Sequence, residues 1–281
     1  MRRACLAALC GLWSAAPARL CAQADFVSTA RAATARYQDQ AVAIEDGYRR
    51  VGPDFPGMGE HWVNPGLLVA GVLDPGRPPV LEYITIGGTP KLVGVAYAAL
   101  VTDSSWPPAL PLPPWAWHTH AGTVDEESFI LSHAGVHHAH LEGSGPRVAV
   151  AHAWIWLANP AGLYETDNWA VPCARLGFTP PAGLSADAGR ALALAAGGTA
   201  YFATLVRVVG APDSSELARL REVLERGGSE VLRRVGRGTG RTPLPPELLP
   251  ELEASWRRTW GAVLAAASPV VRERLAALPA Q

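Results

Sequence analysis

An α+β fold is expected for this 281-residue chain: an N-terminal helix, an antiparallel β core of sandwich or barrel type, and a mainly helical C-terminal part. Three observations carry the expectation. Apolar residues recur every three or four positions up to about residue 50. Short runs rich in valine, isoleucine and aromatic residues, broken by proline and glycine, fill residues 60–180. Helical periodicity returns after about residue 185. With 49% hydrophobic and 17% charged residues, the composition is that of a globular protein with a sizeable core.

Residues 1–24 read as a signal peptide. Arg2 and Arg3 precede an apolar run from Ala4 to Ala16, and Ala22-Gln23-Ala24 supplies the small-x-small pattern that a signal peptidase cuts. Export to the periplasm or the medium is therefore expected. Leu20 and Leu9 stand before Cys21 and Cys10, where a lipoprotein signal needs a small residue, so lipidation is not expected. Cleavage would leave Cys173 as the one cysteine, which reads as a small buried hydrophobe. Ala191–Val206 is the most apolar later stretch. It falls short of the roughly 20 residues a bilayer requires and reads as a buried helix followed by a strand, so no stable membrane span is expected after leader cleavage.

Residues 25–52 are expected to form one amphipathic helix whose stripe includes Phe26, Ala30, Tyr37, Ile44 and Tyr48, ended by Gly52-Pro53. In the β core, Val80–Ile86 and Lys91–Val101 flank Gly87-Gly88-Thr89-Pro90 and read as a hairpin, because glycine accepts the positive φ of a tight turn. Residues 104–117, rich in proline and carrying Trp106, Trp115 and Trp117, read as an ordered aromatic loop. Arg147–Leu157 reads as a central strand buried on both faces, with Val148, Val150, His152, Trp154 and Trp156 on one side.

In the helical region, residues 185–281, Asp213 and Glu216 form a capping box, and Gly227-Gly228 are expected to break or bend the helix that follows. Arg233–Arg241 is a basic, glycine-rich connector. Pro250 suits the first turn of a helix whose face is Leu252, Trp256, Trp260 and Val263, and Ser268-Pro269 starts the last helix.

Charge and motifs exclude several function classes. A net charge of -1 with both signs dispersed predicts no nucleic-acid partner. Lys91 is the single lysine, which leaves Schiff-base and phosphate-loop chemistry almost without a candidate. Gly-x-Ser-x-Gly, His-Glu-x-x-His and Cys-x-x-Cys motifs do not occur.

Histidines are the remaining chemical signal, since all eight lie between His61 and His152. In His118-Thr119-His120, followed by Asp125, Glu126 and Glu127, the two imidazoles would share one side of an extended strand at about 7 Å. A carboxylate from the next turn would complete a three-ligand site for a divalent transition metal such as zinc, copper, iron or manganese. His152 stands among valines and tryptophans and needs partners for its ring nitrogens. It reads either as a core histidine bonded to a carbonyl or to a side chain such as Asp167, or as a ligand arriving from the sheet.

The expected metal ligands are His118, His120 and His152, with His61 as a fourth and Glu126 or Glu127 as carboxylate ligand or base. Affinity is expected to fall as pH drops through about 6.5, because only neutral imidazole binds the ion. His133, His137, His138 and His140 read as a solvated loop or a metal-collecting tract. A different class of function is a non-enzymatic cell-envelope interaction module, in which the histidines are structural and Trp106, Trp115 and Trp117 form the contact surface.

Three segments carry a resemblance. They are Gly57-Met58-Gly59-Glu60-His61-Trp62-Val63-Asn64-Pro65, then Leu92-Val93-Gly94-Val95-Ala96-Tyr97, then His152-Ala153-Trp154-Ile155-Trp156 with Asn159-Pro160-Ala161-Gly162. Through them, and through Asp46-Gly47-Tyr48, residues 30–178 resemble a widespread group of exported bacterial proteins of unknown function. The resemblance implies no activity and no catalytic residue. It puts His61 and His152 inside the recurring motifs and leaves His118 and His120 outside them. The His-x-His pair followed by an acid is also similar to the cupin metal motif, although Leu112 stands where cupins carry a glycine and no second cupin motif follows.

Overall fold

Helix, sheet and helix follow one another as the periodicities predict, in a computed structural model that describes residues 15–71, 73–101, 108–110, 112–121 and 147–278, the side chains of 15–22, 120, 121 and 147 excepted. The fold is α+β.

The single predicted N-terminal helix is divided. Helix α1 (Ala15–Thr34) passes through a 3-10 turn (Ala35–Gln38) into α2 (Gln40–Glu45). Asp39 causes the break: it leaves helical geometry at φ -91° and ψ 109°, and its carboxylate accepts the amide of Ala41 as an N-cap. The sheet then begins at Arg49, well before residue 60. Gly52-Pro53 does not separate helix from sheet but lies inside β1 (Arg49–Phe55), where pairing with β2 (Gly59–Val63) slips between Val51 and Asp54 and Gly52 takes φ +75°. An edge strand tolerates such a bulge and its proline.

A short helix α3 (Pro65–Ala70) precedes β3 (Val80–Ile86), β4 (Thr89–Val101), β5 (His118–Ala121) and β6 (Arg147–Ala153). The six strands form one curled antiparallel sheet in the order β1-β2-β3-β4-β6-β5. The predicted hairpin is present, and its two central residues, Gly87 and Gly88, sit at φ +58° and +80°, where side chains other than glycine are strained. Strand β6 ends at Ala153 rather than Leu157, because the amide of Trp154 turns to Leu163 O and those of Trp156 and Leu157 both turn to Val93 O.

The two sheet faces differ. Leu81, Tyr83, Val95, Tyr97, Ala149 and Ala151 pack against Phe26, Ala30 and Tyr48 of the N-terminal segment. On the other face Phe55, Met58, Ile84, Trp154 and Val171 form a smaller cluster beside the histidines. Val148 and Val150 on that face are only half-buried, so β6 is fully buried on one side and partly on the other.

The C-terminal region comprises α4 (Ala170–Leu176), α5 (Ala186–Ala195), α6 (Thr199–Gly210), α7 (Ser214–Val235), α8 (Leu249–Ala266) and α9 (Pro269–Ala276), with a two-residue parallel pair, Phe178–Thr179 and Thr242–Pro243. The expected helix-then-strand at 191–206 is instead two helices, α5 and α6, bent by 113°. No single described helix is long and apolar enough to cross a membrane.

Gly227 and Gly228 do not interrupt α7. A Cβ at Gly227 would lie 2.4 Å from Thr259 Oγ1 and one at Gly228 2.6 Å from Leu194 O, so the missing methyls let α7 approach α8 and α5 closely. Half of the predicted capping box is present. Asp213 accepts the amide of Glu216, but the Glu216 carboxylate accepts from the amide and hydroxyl of Ser268 and fastens the start of α9. Pro250 and Pro269 occupy first turns as expected. Cys173 is fully buried, and burial pushes its thiol up to about 12, which keeps it a neutral hydrophobe.

Buried phenols of the N-terminal core, Tyr48, Tyr97 and Tyr164 among them, give the fold an alkaline limit. Burial raises Tyr48 and Tyr97 far above the usual phenol range and Tyr164 up to about 12. The unfolded chain releases these protons near pH ~10 while the folded chain keeps them, so their contribution is complete below that value and is lost as pH rises beyond it. The urea midpoint is expected to stay level between about pH 8 and 9 and to fall by about pH 11. A level midpoint at the highest value would show that these phenols are not held protonated.

Candidate metal centre

Strand register alone brings three ionisable side chains together. His61 of β2 stands directly opposite Glu82 of β3, and Glu82 stands opposite Gly94 of β4. Ala96, two residues along β4 and on the same face, is opposite His152 of β6. His61, Glu82 and His152 therefore share one face across four strands, with a glycine where a side chain would separate Glu82 from His152. The need for glycine is steric, since a Cβ at Gly94 would lie 2.1 Å from Glu82 Oε2 and 3.2 Å from the Trp154 ring. A bulge opposite Glu82 and Tyr83 places Val93 on this face too.

The group is closed to solvent: Glu82 is 0% exposed, His152 1% and His61 5%. His152 Nδ1 hydrogen-bonds Glu82 Oε1, and His61 Nε2 lies 3.9 Å from the same oxygen. One donor atom from each of the three residues falls within 4.8 Å of the others. In the tautomer that donates from Nδ1 to Glu82, the His152 ring presents the lone pair of Nε2 on its other side. Neither Glu82 Oε2 nor His152 Nε2 has a hydrogen-bond partner among the described residues.

Aromatic rings wall the group. The His61 ring meets His152 edge-on at 5.8 Å and Phe55 edge-on at 5.3 Å. His152 stacks between Trp154 at 6.4 Å and His118 at 5.2 Å, the latter with planes 1° apart. Trp154 is itself fixed by donation from Nε1 to Glu165 O at 2.6 Å. Gly59, at φ +81°, brings β2 against Tyr83 O, where a Cβ would lie only 2.3 Å away. Asn64 caps α3 through Leu67 N and donates to Asp46 O, which holds the end of β2.

Of the residues expected as ligands, His61 and His152 are brought together. His118 is half-buried and stacks on His152, but it is not among the three whose donors converge. His120 lies on edge strand β5 opposite Val148, and its side chain is outside the described residues. Glu126 and Glu127 are outside them too, as are Trp106 and the four histidines from His133 to His140. Glu82, not Asp167, is the partner of His152, and it supplies the carboxylate. Of the aromatic loop, Trp117 is buried and Trp115 is exposed. Comparison of the chain with family models, curated proteins and solved structures finds no match.

Proposed function

We propose that this chain is an exported protein that binds a divalent transition-metal ion through His61, Glu82 and His152. One observation carries the reading: two imidazoles and a carboxylate converge in a pocket closed to solvent, with Glu82 Oε2 lacking a hydrogen-bond partner among the described residues. Burying an ionised carboxylate costs several kcal/mol, and a dication compensates it more completely than one imidazole does. Two nitrogens and a carboxylate oxygen suit zinc, iron, copper or manganese. Ligands of one ion at about 2.0–2.2 Å lie farther apart than a hydrogen-bonded pair, so loading would exchange the proton between Glu82 and His152 for the ion and open that contact. Export is supported by the Arg2-Arg3, apolar and Ala22-Gln23-Ala24 pattern at the N-terminus.

Titration of chelator-treated protein with zinc or cobalt against a chromophoric competitor tests the reading. One ion per chain is expected, with affinity reduced at least about 100-fold in the His61→Ala/His152→Ala double variant. The His118→Ala/His120→Ala double variant is expected to keep its ion. Loss in the second variant with retention in the first would move the site to β5.

A further inference from the structure

A cavity of about 460 Å³ lies between the histidine-bearing side of the sheet and the C-terminal helices, within the size range of small-molecule sites. Its apolar wall includes Phe55, Met58, Trp169, Tyr201, Trp256 and Trp260. Its polar groups are Asp167, Asp187, Arg190 and Arg257.

The wall is built around a buried anchor. Asn168 is 0% exposed, donates from Nδ2 to Leu157 O, accepts from the amide of Ala170, and gives its own amide to Gly57 O at 2.8 Å. These bonds fix its neighbours Asp167 and Trp169 at the cavity. Two glycines make room for them. A Cβ at Gly57 would lie 2.7 Å from Asp167 Oδ1, and one at Gly189 2.5 Å from the Trp169 ring.

One of these four polar groups has no hydrogen-bonded partner among the described residues, although Arg190 acts on it through space. Arg190 donates to Asp187 at 3.0 Å, with its guanidinium 5.5 Å from the Trp169 ring centroid and 5.9 Å from that of Trp256. Arg257 is paired with Asp187 and Glu253. No described residue donates a hydrogen bond to the Asp167 carboxyl, which burial holds above the usual carboxylate range against the opposing pull of Arg190 and His152, so a cation seated on it would favour its ionised form. A carboxylate bordered by aromatic faces is complementary to an organic cation, which gains the ion pair and the ring quadrupoles together.

We propose that this cavity binds a small organic amine, its ammonium group on Asp167 and its apolar body between Trp169, Tyr201 and Trp256. The site is distinct from the metal group, with Phe55 as the shared wall, against His61 on one side and Tyr201 on the other, and with His152 acting on Asp167 only through space.

Calorimetric titration of the full chain with 4-phenylbutylammonium, 4-phenylbutanol and 4-phenylbutyrate tests the proposal, with and without chelator treatment. The ammonium compound is expected to bind at least about tenfold tighter than the other two, whether or not metal is present. Asp167→Asn is expected to remove that preference while leaving the alcohol within about threefold. Gly57→Ala, which displaces Oδ1 without changing charge, is expected to weaken the amine alone, with thermal unfolding reporting that both variants fold. Equal or tighter binding of the carboxylate, no saturable binding of the amine, or an unchanged preference in both variants would overturn the proposal. Metal binding by His61 and His152 is read separately by the competitor titration, so neither result decides the other.

Discussion

Glu82→Gln is expected to lower metal affinity at least about 100-fold, roughly 2.8 kcal/mol, while leaving the metal-free fold nearly as stable as before. The amide keeps the volume and still accepts from His152 Nδ1, so the packing between β3 and β4 survives. What it loses is the negative charge that a dication would neutralise in a pocket closed to water. Glu82→Ala is the harsher change. It removes the same charge, leaves a void beside Gly94 and strands the His152 ring nitrogen, at an expected cost of about 2–4 kcal/mol in urea unfolding. Competitor titration and thermal unfolding in chelator separate the two effects. Wild-type affinity in the glutamine variant would show that Glu82 is no ligand.

Gly94→Ala is expected to be as damaging as a core truncation although it adds one methyl group. That methyl would arrive 2.1 Å from Glu82 Oε2, with Ala153 O and the Trp154 ring each 3.2 Å away, so neither backbone nor indole offers relief. The carboxylate must leave its place, and a loss of about 3 kcal/mol with loss of the ion is expected. A double variant isolates the cause. With alanine at both 82 and 94 the clashing oxygen is gone, and the combined cost is expected to fall short of the sum by at least about 1 kcal/mol. Additive costs would show that Gly94 is needed for a reason other than making room for Glu82.

Much of the architecture was legible because it rests on local chemistry. The Gly87-Gly88 turn, the Asp213 cap and the prolines at the starts of α8 and α9 each announce a backbone state that few other residues adopt. The errors were of a different kind. Asp39 breaks a helix whose apolar stripe continues past it, and Gly227-Gly228 mark close helix packing rather than a bend. In both cases a tertiary or capping contact outweighs the periodicity.

The candidate site was half legible. His61 and His152 stand out within the segments that carry the resemblance, whereas closeness in the chain to His118 and His120 points to Glu126 or Glu127, which lie outside the described residues. Proximity along the chain says little about proximity across a sheet, where register decides. A usable signal was present in Val80-Leu81-Glu82-Tyr83-Ile84, one charge inside an apolar strand, with Gly94 isolated inside the facing one. A lone acid in a buried strand needs a partner, and a lone strand glycine marks a close approach. Read together, the two would have singled out Glu82.

Anomalous diffraction from crystals of protein loaded with zinc or cobalt tests the metal centre most directly. A single peak within about 2.0–2.3 Å of one donor atom each from His61, Glu82 and His152 is expected, with the Glu82–His152 hydrogen bond opened. An ion held elsewhere, with that hydrogen bond intact, would contradict it.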